Sequence, residues 1–141
     1  MVEWHPVLQK PPIRNRRIYM AVDFKIENKR NDFVIKNGNL VTTNSDEEIL
    51  QRVKTRLYRI YGEWFLNQNV GIPWYAGVLG SKNLKAVTFL IKTEALATDG
   101  VRAVIKSNSI LDKTTRKVIT YLQIQLNSSA IYELNLEKDN V

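Results

Sequence analysis

The residue whose type and setting best suit acid–base chemistry is Glu63, which lies within the aromatic stretch Gly62–Asn67. Apolar surroundings raise the pKa of a carboxyl group, and a glycoside hydrolase needs such a proton donor. It also needs a second carboxylate facing the same cleft, whereas Glu94 and Asp99 are far from Glu63 in the sequence. A cell-wall glycoside hydrolase that uses Glu63 is therefore an alternative, and the main prediction is that no residue is catalytic.

Metal and cofactor chemistry finds little support in this sequence. The chain has one histidine, His5, and no cysteine. A lone histidine neither forms a metal site nor completes a Ser-His-Asp triad. Gly77 and Gly80 lack the spacing of a phosphate-binding loop. The sequence therefore predicts no metal, no cofactor and no small-molecule substrate.

The chain is basic, with 21 lysine and arginine residues against 14 acidic ones and a formal net charge of +7. Positive charge favours nucleic acid or acidic proteins as partners. Arg52, Arg56 and Arg59 share one face of a predicted helix, so a basic nucleic-acid-binding module is a second alternative. Most other basic residues are scattered, which argues against nucleic acid. Apolar runs fall short of the roughly 20 residues that span a bilayer, so we expect no membrane insertion.

Composition and periodicity predict one α+β domain over residues 17–137, preceded by an extended proline-containing arm at 1–16 and followed by a polar tail at 138–141. Alternating apolar side chains, typical of half-buried strands, recur before and after a helical region. The predicted strands cover residues 17–26, 33–36 with its hairpin continuation at 40–42, 101–111, 117–126 and 131–137. Grouped rather than alternating elements indicate two helices packed on a mainly antiparallel sheet of about five strands, in the order β-β-α-α-β-β-β.

Two amphipathic helices supply the remaining elements. Ser45 and Glu48 fit a capping box that opens the first helix near Asp46. Gly62 is predicted to end it as a left-handed C-cap. The predicted buried stripe of this helix consists of Ile49, Val53, Leu57, Ile60 and Tyr61. The second helix is predicted to begin near residues 81–83 and to end at 99–100.

The loop between the helices, residues 63–81, carries large apolar side chains that must be buried against this fold or against a partner. Trp64–Leu66 are predicted to hold the loop to the core, and Phe65 is assigned a structural role. Trp74 and Tyr75, which follow Pro73, are predicted to anchor a neighbouring chain, because Trp and Tyr are enriched in interface hot spots. The glycines at the loop junctions, also predicted to be structural, are Gly62, Gly71 and Gly80.

The last predicted strand is a second candidate for partner binding. Its apolar residues are Ile131, Tyr132, Leu134 and Leu136. A strand close to the end of the sequence is expected at a sheet edge, where unpaired N–H and C=O groups can pair with a partner's strand. The alternative is a strand inside the sheet, paired on both sides, which recruits nothing.

Several short motifs follow one another in a recognisable order along the chain. They are Asp23, Asn39-Leu40-Val41, Gln51-Arg52, Leu57, Gly62–Asn67, Gly71-Ile72-Pro73-Trp74 and Leu79-Gly80. This pattern resembles the baseplate wedge proteins of contractile phage tails, the so-called lysozyme-like wedge family, most closely its Mu-like branch. A related subunit occurs in type VI secretion baseplates.

The resemblance implies a structural subunit without enzymatic activity that docks other wedge proteins and initiates sheath polymerisation by β-strand addition. It further implies a sixfold-symmetric tail baseplate of a virion, assembled in the host cytoplasm. Relatives often have Gly-Glu-Arg where this chain has Gly62-Glu63-Trp64. Many carry Glu-Pro-Arg where this chain has 99–102, so Arg102, one residue displaced, is the candidate docking arginine. The expected wedge-docking residues are thus Glu63, Trp64, Pro73, Trp74, Tyr75 and Arg102.

Overall fold

The computed structural model describes residues 22–27, 30, 32–79 and 83–139. The predicted arm at 1–16, the first part of the predicted strand at 17–26, Gly80 and the end of the predicted tail lie outside the described residues. The helices are α1 (Ser45–Tyr58) and α2 (Leu84–Leu96), separated by a π-helical turn at Trp74–Val78. The strands are β1 (Val22–Phe24), β2 (Ile35–Lys36), β3 (Asn39–Leu40), β4 (Thr42–Asn44), β5 (Val101–Asp112), β6 (Lys117–Leu126) and β7 (Ile131–Asp139).

Within the described residues, the strands form three antiparallel sheets. Strands β5, β6 and β7 make a three-stranded sheet in that order, and β1–β4 and β2–β3 form two short ladders. The predicted α+β class is confirmed, although the strands are divided among three sheets and β7 runs two residues into the predicted tail. Both helices pack on one face of the three-stranded sheet and bury the alternate side chains of β6 that point toward them. These are Val118, Thr120, Leu122, Ile124 and Leu126.

Helix α1 forms where the apolar periodicity predicts it, but neither end is built as predicted. It begins at Ser45, with Asn44 as the N-cap, and no side-chain cap hydrogen bond forms there. Glu48 is buried and pairs with Arg52 one turn later, so the predicted capping box is wrong. A buried carboxylate needs such a charge partner. The side chain of Glu48 is therefore used inside the subunit and not at the helix terminus.

The chain leaves α1 earlier than Gly62. Arg59 has extended backbone geometry and ends the helix, so the prediction that Gly62 is its C-cap is wrong. Gly62 lies in the next turn, with a φ of +84°. Between them, Ile60 forms a parallel bridge with Ile72. Tyr61, placed in the buried stripe by its spacing, is half exposed because the helix has already ended.

The chain crosses itself tightly at Gly71. Its φ is +108°, and a Cβ at this position would lie 2.7 Å from the carbonyl carbon of Ile60 and 2.8 Å from its oxygen. The backbone of Ile60 cannot retreat, because Tyr61 N donates to Ile72 O and Ile72 N donates to Arg59 O, both at 3.0 Å. Only glycine fits this crossing without strain.

We expect Gly71→Ala to lower the free energy of unfolding by at least about 2 kcal/mol, through backbone strain and the clash with Ile60. Gly62→Ala is the matched control, since Gly62 also has positive φ but open space around its Cβ position. It should lose only about 1 kcal/mol. Urea denaturation followed by circular dichroism measures both. Equal losses would contradict the crossing described here.

Candidate partner-binding surfaces

Trp74 lies in the core of the subunit. Its side chain is 0% exposed, and its indole Nε1 donates a hydrogen bond to the carbonyl oxygen of Leu57 at 3.2 Å. Ile72 and Val78 are buried in the same core. The prediction that Trp74 anchors a neighbouring chain is therefore wrong, because its ring is packed inside this subunit. Burial of its ring fixes the path of the loop beneath the C-terminal end of α1.

The first half of the loop is exposed instead. Phe65 is 82% exposed and Leu66 is 69% exposed, and Tyr61 and Trp64 are each about half exposed. The prediction that Trp64–Leu66 hold the loop to the core, with Phe65 in a structural role, is therefore wrong for Phe65 and Leu66. We call these four residues, Tyr61, Trp64, Phe65 and Leu66, the aromatic loop. Adjacent exposed apolar side chains of this kind mark protein–protein contact sites.

A hollow of about 360 Å³ lies beside the aromatic loop. Its lining residues are Tyr58, Arg59, Ile60, Glu63 and Trp64. The guanidinium of Arg59 lies 5.6 Å from the ring centroid of Trp64, a cation–π contact that holds the ring at the surface. Glu63 is exposed and is the one carboxylate among these described lining residues. Since glycoside hydrolysis requires two facing carboxylates, the hollow does not favour the hydrolase alternative.

The remaining predicted docking residues are dispersed. Pro73 precedes the π-helical turn and is half-buried, and Tyr75, on that turn, is exposed. Arg102 is exposed on β5, at a β-bulge between Val101 and Ala103. Of the predicted set, Glu63 and Trp64 share the hollow, whereas Arg102 belongs to a different element.

The two edges of the three-stranded sheet differ in regularity. Strand β7 pairs with β6 through nine consecutive residues without interruption. Strand β5 has two register shifts, which leave Arg102 and Ile105 as extra residues. Bulges twist a strand and hinder further pairing. Within the described part of the chain, β7 is thus the regular edge with no neighbour on its outer side, as its place in the sequence predicts.

The hairpin between β6 and β7 decides which backbone groups face outward. Leu126 N donates to Ala130 O at 3.0 Å. Leu126 and Ala130 are therefore a hydrogen-bonded pair. In antiparallel strands, hydrogen-bonded and non-hydrogen-bonded pairs alternate, so every second pair beyond Leu126 and Ala130 is also hydrogen-bonded. The N–H groups at Tyr132, Leu134 and Leu136 therefore point to β6. The residues of β7 with outward N–H and C=O groups are the alternate ones, among them Ile131, Glu133, Asn135 and Glu137.

This geometry corrects the predicted strand-addition residues. Ile131 presents its backbone to the free edge, but the other three predicted residues contribute their backbone to the internal ladder and their side chains to the helix side of the sheet. The apolar residues correctly predicted that this segment is a strand, but the backbone groups that point outward belong mainly to its polar residues. Those polar residues could have been found from the sequence, because they alternate with the apolar ones.

A family model described as contractile injection system sheath initiator matches residues 22–129. The chain belongs to this family. No curated protein matches the chain. Membership gives this sheath initiator a structural role in sheath assembly and makes it a tail or baseplate component of a contractile injection system. The match ends at Ser129, so β7, which begins at Ile131, lies outside the matched region.

Helix α1 of the sheath initiator runs along β7 on the inner face of the sheet. At one end, Ser128 Oγ and Tyr132 Oη donate to Asp46 Oδ2 at 2.8 and 3.1 Å, and the bond from the Tyr132 hydroxyl raises the pKa of Tyr132. At the other end, Lys138 Nζ lies 5.6 Å from the centroid of the Tyr58 ring. The span from residue 46 to 58 is about 18 Å of helix, and that from 132 to 138 is about 20 Å of strand. The helix therefore supports the whole length of the edge.

The arginine face of α1 is engaged inside the subunit. Arg52 pairs with Glu48, and Arg56 Nε lies 2.7 Å from Glu94 Oε2. Arg59 lies over the Trp64 ring. Each of these arginines already has a partner within the subunit, which argues against a role of this face in binding phosphates and so against the nucleic-acid alternative.

The part of the chain that the structure describes contains no group of three or more His, Cys, Asp or Glu side chains arranged to hold a metal ion. In the same residues, no helix is long and apolar enough to cross a membrane.

Proposed function

We propose that this protein is a structural, non-enzymatic subunit of a contractile phage tail baseplate wedge that seeds the sheath by adding a sheath strand to β7. The observation that carries the proposal is the uninterrupted register of β7 on β6 with an outer edge unpaired among the described residues. Such an edge offers alternate N–H and C=O groups at fixed spacing to an extended segment.

The aromatic loop is the proposed docking surface for a neighbouring wedge protein. Phe65 and Leu66 project furthest into solvent, and Trp64 is held by Arg59. A tryptophan held in place before binding and flanked by exposed apolar side chains is typical of interface hot spots. Glu63, which lines the hollow beside Trp64, is proposed to contribute at the margin of this docking surface. Pro73, Tyr75 and Arg102 lie on other elements and are proposed as separate contacts with wedge neighbours. Trp74 is buried and contributes to the stability of the subunit. Six copies around the tail axis would present six β7 edges to the first sheath ring in a virion assembled in the host cytoplasm.

Seeded polymerisation tests the proposal. Purified sheath protein is followed by light scattering with and without wedges that carry this subunit. The proposal predicts that complete wedges shorten the lag before polymerisation, whereas wedges lacking the subunit do not. An unchanged lag with both would contradict it.

Replacing Phe65 and Leu66 together with serine should reduce incorporation of the subunit into wedges by roughly tenfold or more, because truncated hot-spot residues weaken binding by 2 kcal/mol or more. Stability should change little, since both side chains are exposed. Phe89→Ser is the matched control, because Phe89 is similarly exposed but lies on α2. Co-purification with the wedge measures incorporation. Equal loss in the control would argue against a specific docking loop.

A further inference from the structure

The free edge of β7 has two chemically different sides. On the open face of the sheet, the outward residues include two exposed carboxylates, Glu133 and Glu137, separated by four positions. Both have partners on β6: Gln123 Nε2 lies 3.3 Å from Glu133 Oε1, and Lys117 Nζ forms an exposed ion pair of 3.5 Å with Glu137 Oε2. Between Ile131 and Glu137, the charged residues that β7 itself presents on this face are both acidic, although the chain as a whole carries a formal net charge of +7.

On the helix side, the middle of the edge is apolar and only partly covered, between Asp46 at one end and Lys138 at the other. Tyr132 and Leu134 of β7 and Leu50 of α1 pack against the core but remain partly exposed. Leu50 lies on α1 between Asp46 and Tyr58, the two residues that contact the ends of β7. A strand added beside β7 would place every second side chain over this region and remove its apolar surface from water.

From these two sides we infer that the strand added to β7 alternates apolar residues facing α1 with lysine or arginine facing the open side. The inference rests on the proposed strand addition and specifies its partner. Directly opposed side chains on neighbouring strands lie about 4.5–5.5 Å apart, close enough for Glu133 and Glu137 to pair with basic groups. A strand with acidic residues at the same positions would be repelled.

Two capped, fluorescently labelled octapeptides test this, one alternating lysine with valine and the other glutamate with valine. Fluorescence anisotropy at low salt measures their binding to the purified protein. The inference predicts roughly tenfold tighter binding of the lysine peptide, from the gain and loss of two cross-strand charge pairs. The net charge of the protein alone predicts the opposite order. Equal binding, preference for the glutamate peptide, or binding of neither overturns the inference.

Charge reversal locates the effect. Glu133→Lys with Glu137→Lys should invert the preference between the peptides. The control, Glu27→Lys with Asp32→Lys, changes the net charge equally at exposed residues beside the Ile26–Phe33 bridge, outside the sheet of β5, β6 and β7, and should keep the original preference. If the control inverts it as well, general electrostatics explain the binding and the inference fails.

A third variant separates this inference from the proposed function. Asn135→Pro blocks the free edge and should abolish binding of the lysine peptide. If the lysine and glutamate peptides bind the unaltered protein equally and Asn135→Pro abolishes binding of both, strand addition stands and the inferred preference for basic residues is wrong. If binding of the lysine peptide is unaffected by Asn135→Pro, pairing at the β7 edge itself is wrong.

Discussion

Asn135→Pro is expected to abolish seeding of the sheath while the subunit remains folded. The N–H of Asn135 points away from β6, so proline removes no bond of the existing ladder. Its ring occupies the position where an incoming strand must pair. The lag in seeded polymerisation should therefore return to that of sheath protein without wedges. Thermal unfolding by circular dichroism should show a nearly unchanged midpoint.

Two other proline variants serve as controls. Leu111→Pro places proline at an outward N–H of β5, the bulged edge, and should leave seeding intact. Leu134→Pro removes a donor to β6 and should destabilise the subunit itself by about 1–3 kcal/mol, because the acceptor on β6 loses its partner. Normal seeding by Asn135→Pro, or loss of seeding by a folded Leu111→Pro, would show that β7 is not the recruiting edge.

Trp74→Ala is expected to lower the free energy of unfolding by about 3–5 kcal/mol. The substitution empties a fully buried site and leaves the carbonyl of Leu57 without its indole donor. Because domains of this kind are stable by about 5–15 kcal/mol, much of the native stability would be lost. Urea denaturation monitored by far-ultraviolet circular dichroism is suitable, since it does not depend on tryptophan fluorescence.

Tyr75→Ala is the control for Trp74→Ala, because the neighbouring Tyr75 side chain is mostly exposed. It should change stability by less than about 0.5 kcal/mol. Trp74→Phe should show an intermediate loss, since it keeps most of the apolar ring but removes the hydrogen bond. Similar small losses for Trp74→Ala and Tyr75→Ala would contradict the burial described here.

Regular elements could be predicted from this sequence because their signals are local. The alternation of β6 and the apolar spacing of α1 and α2 each report a buried face within one element. Which of Phe65 and Trp74 is buried could not be predicted in the same way. It depends on the crossing of Ile60 and Ile72, which turns the second half of the loop under α1 and leaves the first half outside.

The free edge shows the same limit. Position in the sequence placed β7 at an edge, but which of its backbone groups point outward depends on how the hairpin closes. In the Asn127-Ser128-Ser129 turn, Ser129 adopts a φ of +70°. A serine there carries no sequence signal for positive φ, unlike glycine or asparagine. Which residues of β7 point their N–H and C=O groups outward can therefore be stated only once the hydrogen bond from Leu126 N to Ala130 O is known.

Amide hydrogen exchange on the subunit alone and bound to sheath protein tests strand addition to β7 most directly. In the free subunit, the outward amides of Ile131, Glu133, Asn135 and Glu137 should exchange much faster than their alternating neighbours. Binding of sheath protein should protect these four amides. The account would be contradicted if all four amides still exchanged fast in the complex while the outward amides of β5 became protected. Those amides of β5 belong to Ser107, Ser109 and Leu111.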